Sequence, residues 1–264
     1  MASVAGLARA ARVSPGEHGA VWSDPRRAAA IAAAATGGLA SLALIAGALT
    51  PVPGGGVCTG ACAPYPFDDP ALVRDFVPVS FAWMIPAVGM LVALIVFAAS
   101  LGLVRGTAGR LAGRLALAFT LVGASVLLVD YAVQLAVVAP SLLHGEGAAV
   151  VGLSLFNPHG VFVGLEDLGY WVLGLGFLGV ASALGSASRP ERIARWVFLV
   201  GGVLALAALP VLAAALGADL GYTYEIVVIT VVDLTLAVGC ACAAVGLARS
   251  PLGPRAADAQ PAAR

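Results

Sequence analysis

Residues 222–247 read YTYEIVVITVVDLTLAVGCACAAVGL, and the reading of this stretch decides the fold. The run is continuously apolar rather than alternating, so it lacks the pattern of a barrel strand. At 1.5 Å per residue, a helix needs about 20 residues to cross a hydrocarbon core of roughly 30 Å. The stretch is long enough, and a helix is the form such a run takes in lipid. Two acids interrupt it, Glu225 and Asp233.

Working outward, the pattern recurs near 28–50, 80–104, 111–139, 161–186 and 193–217. The 264 residues are 61% hydrophobic and 11% charged, with a mean hydropathy of +1.00. Soluble domains carry about 25% charged residues. The expected fold is therefore all-α: a polytopic membrane protein, a six-transmembrane-helix bundle occupying 28–248. The tails 1–27 and 249–264 are rich in Ala, Pro and Arg and are expected to be disordered. The long outer loop 51–79 starts with Pro and Gly, and from Pro70 a short helix is expected to lead into the second span. Pro86 and Pro210 lie inside spans and are expected to kink them. The first span is too long for the apolar region of a cleaved signal peptide.

The arginines give the direction. There is no lysine, and all 14 basic residues are arginine. Arg74 alone falls on one side; the others precede span 1, follow span 6, or lie between spans 2 and 3 and between spans 4 and 5. The positive-inside rule puts the arginine side, and both termini, in the cytoplasm. The expected location is a bacterial cell (plasma) membrane, since arginine without lysine amid abundant Ala, Gly and Val suggests a GC-rich genome. The formal net charge is zero, so no basic field points to nucleic acid. The expected partners are the lipid bilayer and a lipophilic small molecule.

A charge in the hydrocarbon core costs at least ~2.5–3.5 kcal/mol, so it is rarely idle. Asp130 and Gln134 are four residues apart, on one helix face, with Ser141 returning to the same stripe. Asp233 lies about 12 Å deeper than Glu225 along its helix. In FNPHGVFVGLEDLGYWV (156–172), Asn157 before Pro158 reads as a helix start. His159, Glu166 and Tyr170 would then share one face, with Asp167 turned about 100° away. None of these acids has an obvious basic partner, and an unpaired buried carboxyl favours its neutral form. The candidate catalytic acids are Asp130, Glu166 and Asp233. The candidate binding residues are Gln134, Ser141, Asn157, His159, Tyr170 and Glu225. Tyr131, Tyr170, Trp171, Tyr222 and Tyr224 read most simply as interfacial aromatics, or as the pocket mouth.

Cys58 and Cys62 lie in the outer loop and are a disulfide candidate. Cys240 and Cys242 read as packed thiols. No nucleotide, hydrolase or metalloprotease motif occurs in a suitable context, and no metal-ligand pattern is clear. The sequence leaves substrate and cofactor unknown.

The segments DYAVQLAVVAPSLLHGEG (130–147), FNPHGVFVGLEDLGYW (156–171) and YTYEIVVI (222–229) resemble segments of uncharacterised bacterial integral membrane proteins. The resemblance implies a multi-helix membrane fold. It draws attention to Asp130, Gln134, Pro140, Ser141, Asn157, His159, Glu166, Tyr170 and Glu225, and implies no activity. The residues themselves point to a membrane enzyme doing acid/base isomerisation or cyclisation on an isoprenoid-like molecule. The alternatives are a small-solute or proton-coupled transporter and a non-enzymatic structural or partner-binding membrane protein.

Overall fold

The computed structural model describes residues 24–50, 63, 65–67, 69–104, 110–217 and 220–249. The tails apart from 24–27 and 249, and the disulfide candidates Cys58 and Cys62, lie outside the described residues. Every regular element among the described residues is helical.

Helix α1 covers Pro25–Leu49, α2 Pro70–Ser80, α3 Met84–Val104, α4 Arg110–Val133, α5 Ala139–Leu143, α6 Val161–Ala183, α7 Arg189–Leu216 and α8 Gly221–Arg249. Six stretches are long and apolar enough to cross a membrane, as in a multi-pass membrane protein: Pro25–Leu49, Val73–Val104, Leu111–Leu143, Val161–Ala183, Arg189–Leu216 and Gly221–Arg249. Large apolar side chains such as Leu42, Ile45, Ile85, Val92, Val129 and Val211 are exposed on them. Exposure on that scale is at home in lipid rather than water.

Local chemistry sets the helix ends. Asp24 caps α1 by accepting from Arg26 N at 3.0 Å, with Pro25 in the first turn. The helix thus starts inside the expected tail. Asp69 caps α2 in the same way, accepting from Ala71 N at 2.8 Å, with Pro70 following. The short helix expected from Pro70 is present. Ser188 caps α7 by accepting from Glu191 N at 3.3 Å.

Span 2 breaks between α2 and α3. Pro86 has no N–H for the Ala82 carbonyl, which instead accepts from Ile85 N at 3.2 Å. The expected disturbance at Pro86 is thus a break at 81–83, while α7 runs on through Pro210. Before Pro140, span 3 widens into a π-turn at Gln134–Val138, where Ala139 N bonds back to the Gln134 carbonyl. Pro140 offers no N–H to the preceding turn, which favours the wider spacing.

The spanning helices close a ring in chain order. Helix α1 packs on α3, α3 on α4, α4 on α6, α6 on α7, α7 on α8, and α8 returns to α1, with α6 also touching α8. Glycines set the closest approaches. A Cβ on Gly179 would lie 2.6 Å from Ala116 N, and one on Gly123 would lie 2.8 Å from the Gly169 carbonyl oxygen. This seam locks α4 against α6 through close backbone contact. Helix α1 approaches α8 closely at Gly37, whose Cβ would meet the Ala237 oxygen at 3.2 Å and Cys240 Cβ at 3.3 Å. Among the described residues, Arg26, Arg27, Arg114, Arg189, Arg192, Arg195 and Arg249 lie at one end of the ring; the opposite end, called here the loop end, carries Leu49, Gly221, the 144–160 segment and Arg74.

Candidate functional site

The site begins with Glu166, fully buried on α6. Tyr131 of α4 donates its hydroxyl proton to Glu166 Oε1 at 2.7 Å. The Tyr131 and Tyr170 hydroxyls are also 2.7 Å apart. Tyr131 has one proton and gives it to Glu166, so Tyr170 must donate to Tyr131. The chain runs Tyr170, Tyr131, Glu166. All three are buried, at 1%, 0% and 0% exposure. Water is excluded, and such a chain is stronger in a low-dielectric setting.

Glu225 of α8 extends it, its carboxyl within hydrogen-bonding reach of Glu166. Two ionised carboxylates are both acceptors, so this bond requires a proton on one of them. Glu166 lies near enough for its charge to act on Asp130, and Asp233 near enough to act on Tyr170. Single carboxyl oxygens of Asp130, Glu166, Glu225 and Asp233 are buried with no donor group bonded to them among the described residues. Arg74, the one arginine expected near the acids, is exposed on α2.

Glu225 and Asp233 also line a cavity of about 370 Å³. Its walls are the loop-end half of α1 (Ala43, Leu44, Gly47), the facing half of α8, and the aromatic side chains Trp83, Phe156, Phe162 and Tyr222. The cavity lies beside the loop-end halves of α1 and α8, both of which line it. The two helices approach closely at Gly37, while Gly47, ten residues on, is exposed and a side chain there would meet no atom within 4 Å.

The loop end of the cavity is roofed. Gln134 bonds the 153–155 backbone twice, donating from Nε2 to the Leu153 carbonyl at 2.6 Å and accepting from Leu155 N at 3.0 Å. Tyr222 adds a bond from its hydroxyl to the Leu155 carbonyl at 2.9 Å. This holds Phe156 among Tyr65, Phe67 and Phe81, with ring centroids 5.0–6.0 Å away. Burial pushes the Tyr65 hydroxyl above its ordinary pKa, with the nearby Ser154 side chain opposing in part.

The expected residues therefore separate. Glu166, Tyr170 and Glu225 come together, with Asp130 and Asp233 beside them. Asp130 is buried but does not line the cavity. Gln134 is buried as expected, yet its amide is occupied by the 153–155 backbone, so it shapes the site rather than facing it. Ser141, beyond the π-turn, and Asn157 are half-buried and do not line the cavity. The helix start expected at Asn157 is corrected. Its Oδ1 accepts from His159 N at 3.0 Å to close a local turn, and α6 begins at Val161 behind Gly160. His159 lies before the helix and is exposed, so it does not share a face with Glu166 and Tyr170. Asp167 points toward α8, where its charge acts on Tyr224.

Tyr131 is the central residue that the sequence reading placed among interfacial aromatics. Its neighbour Asp130 was the only available signal. No group of three or more His, Cys, Asp or Glu among the described residues is arranged to hold a metal ion. Compared with protein-family models, with curated proteins and with solved structures, the chain shows no match, so its function is read from this geometry.

Proposed function

We propose that this protein is a bacterial cell-membrane enzyme that carries out acid/base chemistry on a lipophilic, isoprenoid-like small molecule, with both termini in the cytoplasm and the cavity toward the outer face. The observation that carries the reading is the buried chain Tyr170–Tyr131–Glu166, which reaches Glu225 at the wall of an apolar, aromatic cavity. The arginine distribution supports the orientation.

The reaction class is a double-bond shift. Glu225 donates a proton to one carbon of the double bond, breaking its O–H bond and forming a C–H bond. Asp233 removes a proton from a neighbouring carbon, and the released electron pair becomes the new double bond. The chain Tyr170–Tyr131–Glu166 then returns the proton from Asp233 toward Glu225. Positive charge on the intermediate faces the aromatic rings of Trp83 and Phe162, which stabilise cations through their π faces. A cavity that narrows to helix contact at Gly37 suits an enzyme better than a carrier, which must open to both sides.

Deuterium incorporation tests the reading without a known substrate. Membranes containing the protein are incubated with a bacterial total lipid extract in heavy water. The expected result is one or a few lipids that gain deuterium with the wild type and not with Glu166→Gln. Equal incorporation with both proteins would remove the acid/base assignment. Proton-coupled solute flux in proteoliposomes would favour transport instead.

A further inference from the structure

The geometry points to a lateral route: a single-chain lipophile slides into the cavity from the bilayer, between α1 and α8, head group first. This rests on the cavity being the substrate site and specifies how it fills and with what.

Three observations carry it. First, the cavity lining includes residues exposed on the outside of the ring, namely Gly47 and Ala48 of α1 and Ile226 and Thr230 of α8. Thr230 lies nine residues into α8, roughly 13 Å along its axis at 1.5 Å per residue. The opening therefore runs down the side of the bundle into hydrocarbon depth rather than ending at the rim. Second, Phe156 lines the cavity at the loop end, buried among its aromatic neighbours on a backbone pinned by Gln134 and Tyr222. Third, polarity is graded. The mouth is apolar apart from Thr230, while the carboxyls of Glu225 and Asp233 lie within. Asp233 is 3% exposed, and its Oδ1 accepts from no donor among the described residues.

A molecule that matches this gradient has an apolar tail left among lipid chains and a small head able to exchange hydrogen bonds or a proton with carboxyls. The volume of about 370 Å³ sits at the low end of the roughly 300–1,000 Å³ of small-molecule sites. That suits one chain rather than a two-tailed phospholipid.

Trp83 reports on occupancy because it lines the cavity, with its ring 5.4 Å from Tyr131. The full chain with Trp22, Trp171 and Trp196 changed to Phe is placed in nanodiscs of saturated phospholipid, and dibrominated octadecanol is added as the probe. Saturable quenching of Trp83 is expected. Gly47→Phe or Ile226→Phe, on opposite lips of the mouth, should lower it at least threefold. Gly38→Phe is the control. It is as open as Gly47, with no atom within 4 Å of a built Cβ, and lies outside the cavity lining. Each variant is checked for monodisperse elution, and the two lips give independent readings if one misfolds. Equal quenching with the lip variants and the Gly38 control overturns the route. So does quenching by aqueous acrylamide with none by the alcohol. Quenching that persists in Glu166→Gln is expected. If it also persists in a wild type that incorporates no deuterium, the route stands and the acid/base reading falls.

Discussion

Two helix pairs in this ring use the same residue to opposite ends. Between α4 and α6, glycines bring the backbones together along the shared length, from Gly123 and Gly169 to Gly176 and Gly179. Between α1 and α8, Gly37 brings the helices together once, and Gly47 then faces empty space. The first pair is a seam along its length; the second is close at Gly37 and borders a cavity at its loop end. The seam holds Tyr131 and Glu166 in register at 2.7 Å. The second pair lines the cavity that Glu225 and Asp233 face. One pair thus positions the proton-carrying groups, and the other borders the space beside them.

The contrast breaks most severely at Gly179. Gly179→Val places atoms against the Ala116 backbone, 2.6 Å from a built Cβ, and backbone cannot rotate away. Overpacking of this kind costs about 1–3 kcal/mol or more. Loss of the monodisperse peak in detergent, or a clear fall in melting temperature, is the expected outcome. Gly169→Ala meets the Leu127 side chain instead, so it should be milder.

Next come the groups that the seam positions. Glu166→Gln should leave the melting temperature nearly unchanged, while Tyr131→Phe, which leaves the buried Tyr170 hydroxyl and Glu166 Oε1 without their partner, should cost about 1–3 kcal/mol; both should lower deuterium incorporation about 10²-fold or more, the range for a positioned acid or base. Equal activity in both variants would separate the chain of hydroxyls from the chemistry.

Gln134→Leu tests the roof. It leaves Leu155 N–H and the Leu153 carbonyl without their partner, at a cost of about 1–3 kcal/mol for buried groups. Faster hydrogen exchange at 153–156, with α4 and α6 still protected, is the expected signature.

The smallest effect is expected at Gly47. Gly47→Ala meets nothing within 4 Å, and alanine favours a helix interior over glycine by about 0.5–1 kcal/mol. A small rise in melting temperature is expected, opposite in sign to Gly179→Val. A fall would show that the loop-end half of α1 packs more tightly than its surroundings indicate.

The acids were legible because their cost is local. A carboxyl in an apolar run is conspicuous wherever its helix lies, which singled out Asp130, Glu166 and Asp233. Tyr131 was hidden because a tyrosine near the end of a span reads the same in an interfacial belt as in a buried bond. Gln134 was found by its four-residue spacing from Asp130, but its role depends on a segment some twenty residues later arriving beside it. Asn157 misled because Asn–Pro closes a turn as readily as it opens a helix.

The sequence by itself determined the all-helical character, the six apolar stretches and the buried carboxyls, because hydrophobic length and the cost of a charge in lipid are properties of each segment alone. Only the tertiary structure decided that Glu166 meets Tyr131 and Glu225, that Gln134 is consumed by a loop, and that α1 and α8 line one cavity. Those outcomes depend on helix rotation and on distances between segments far apart in the chain, which the pattern along any one helix does not encode.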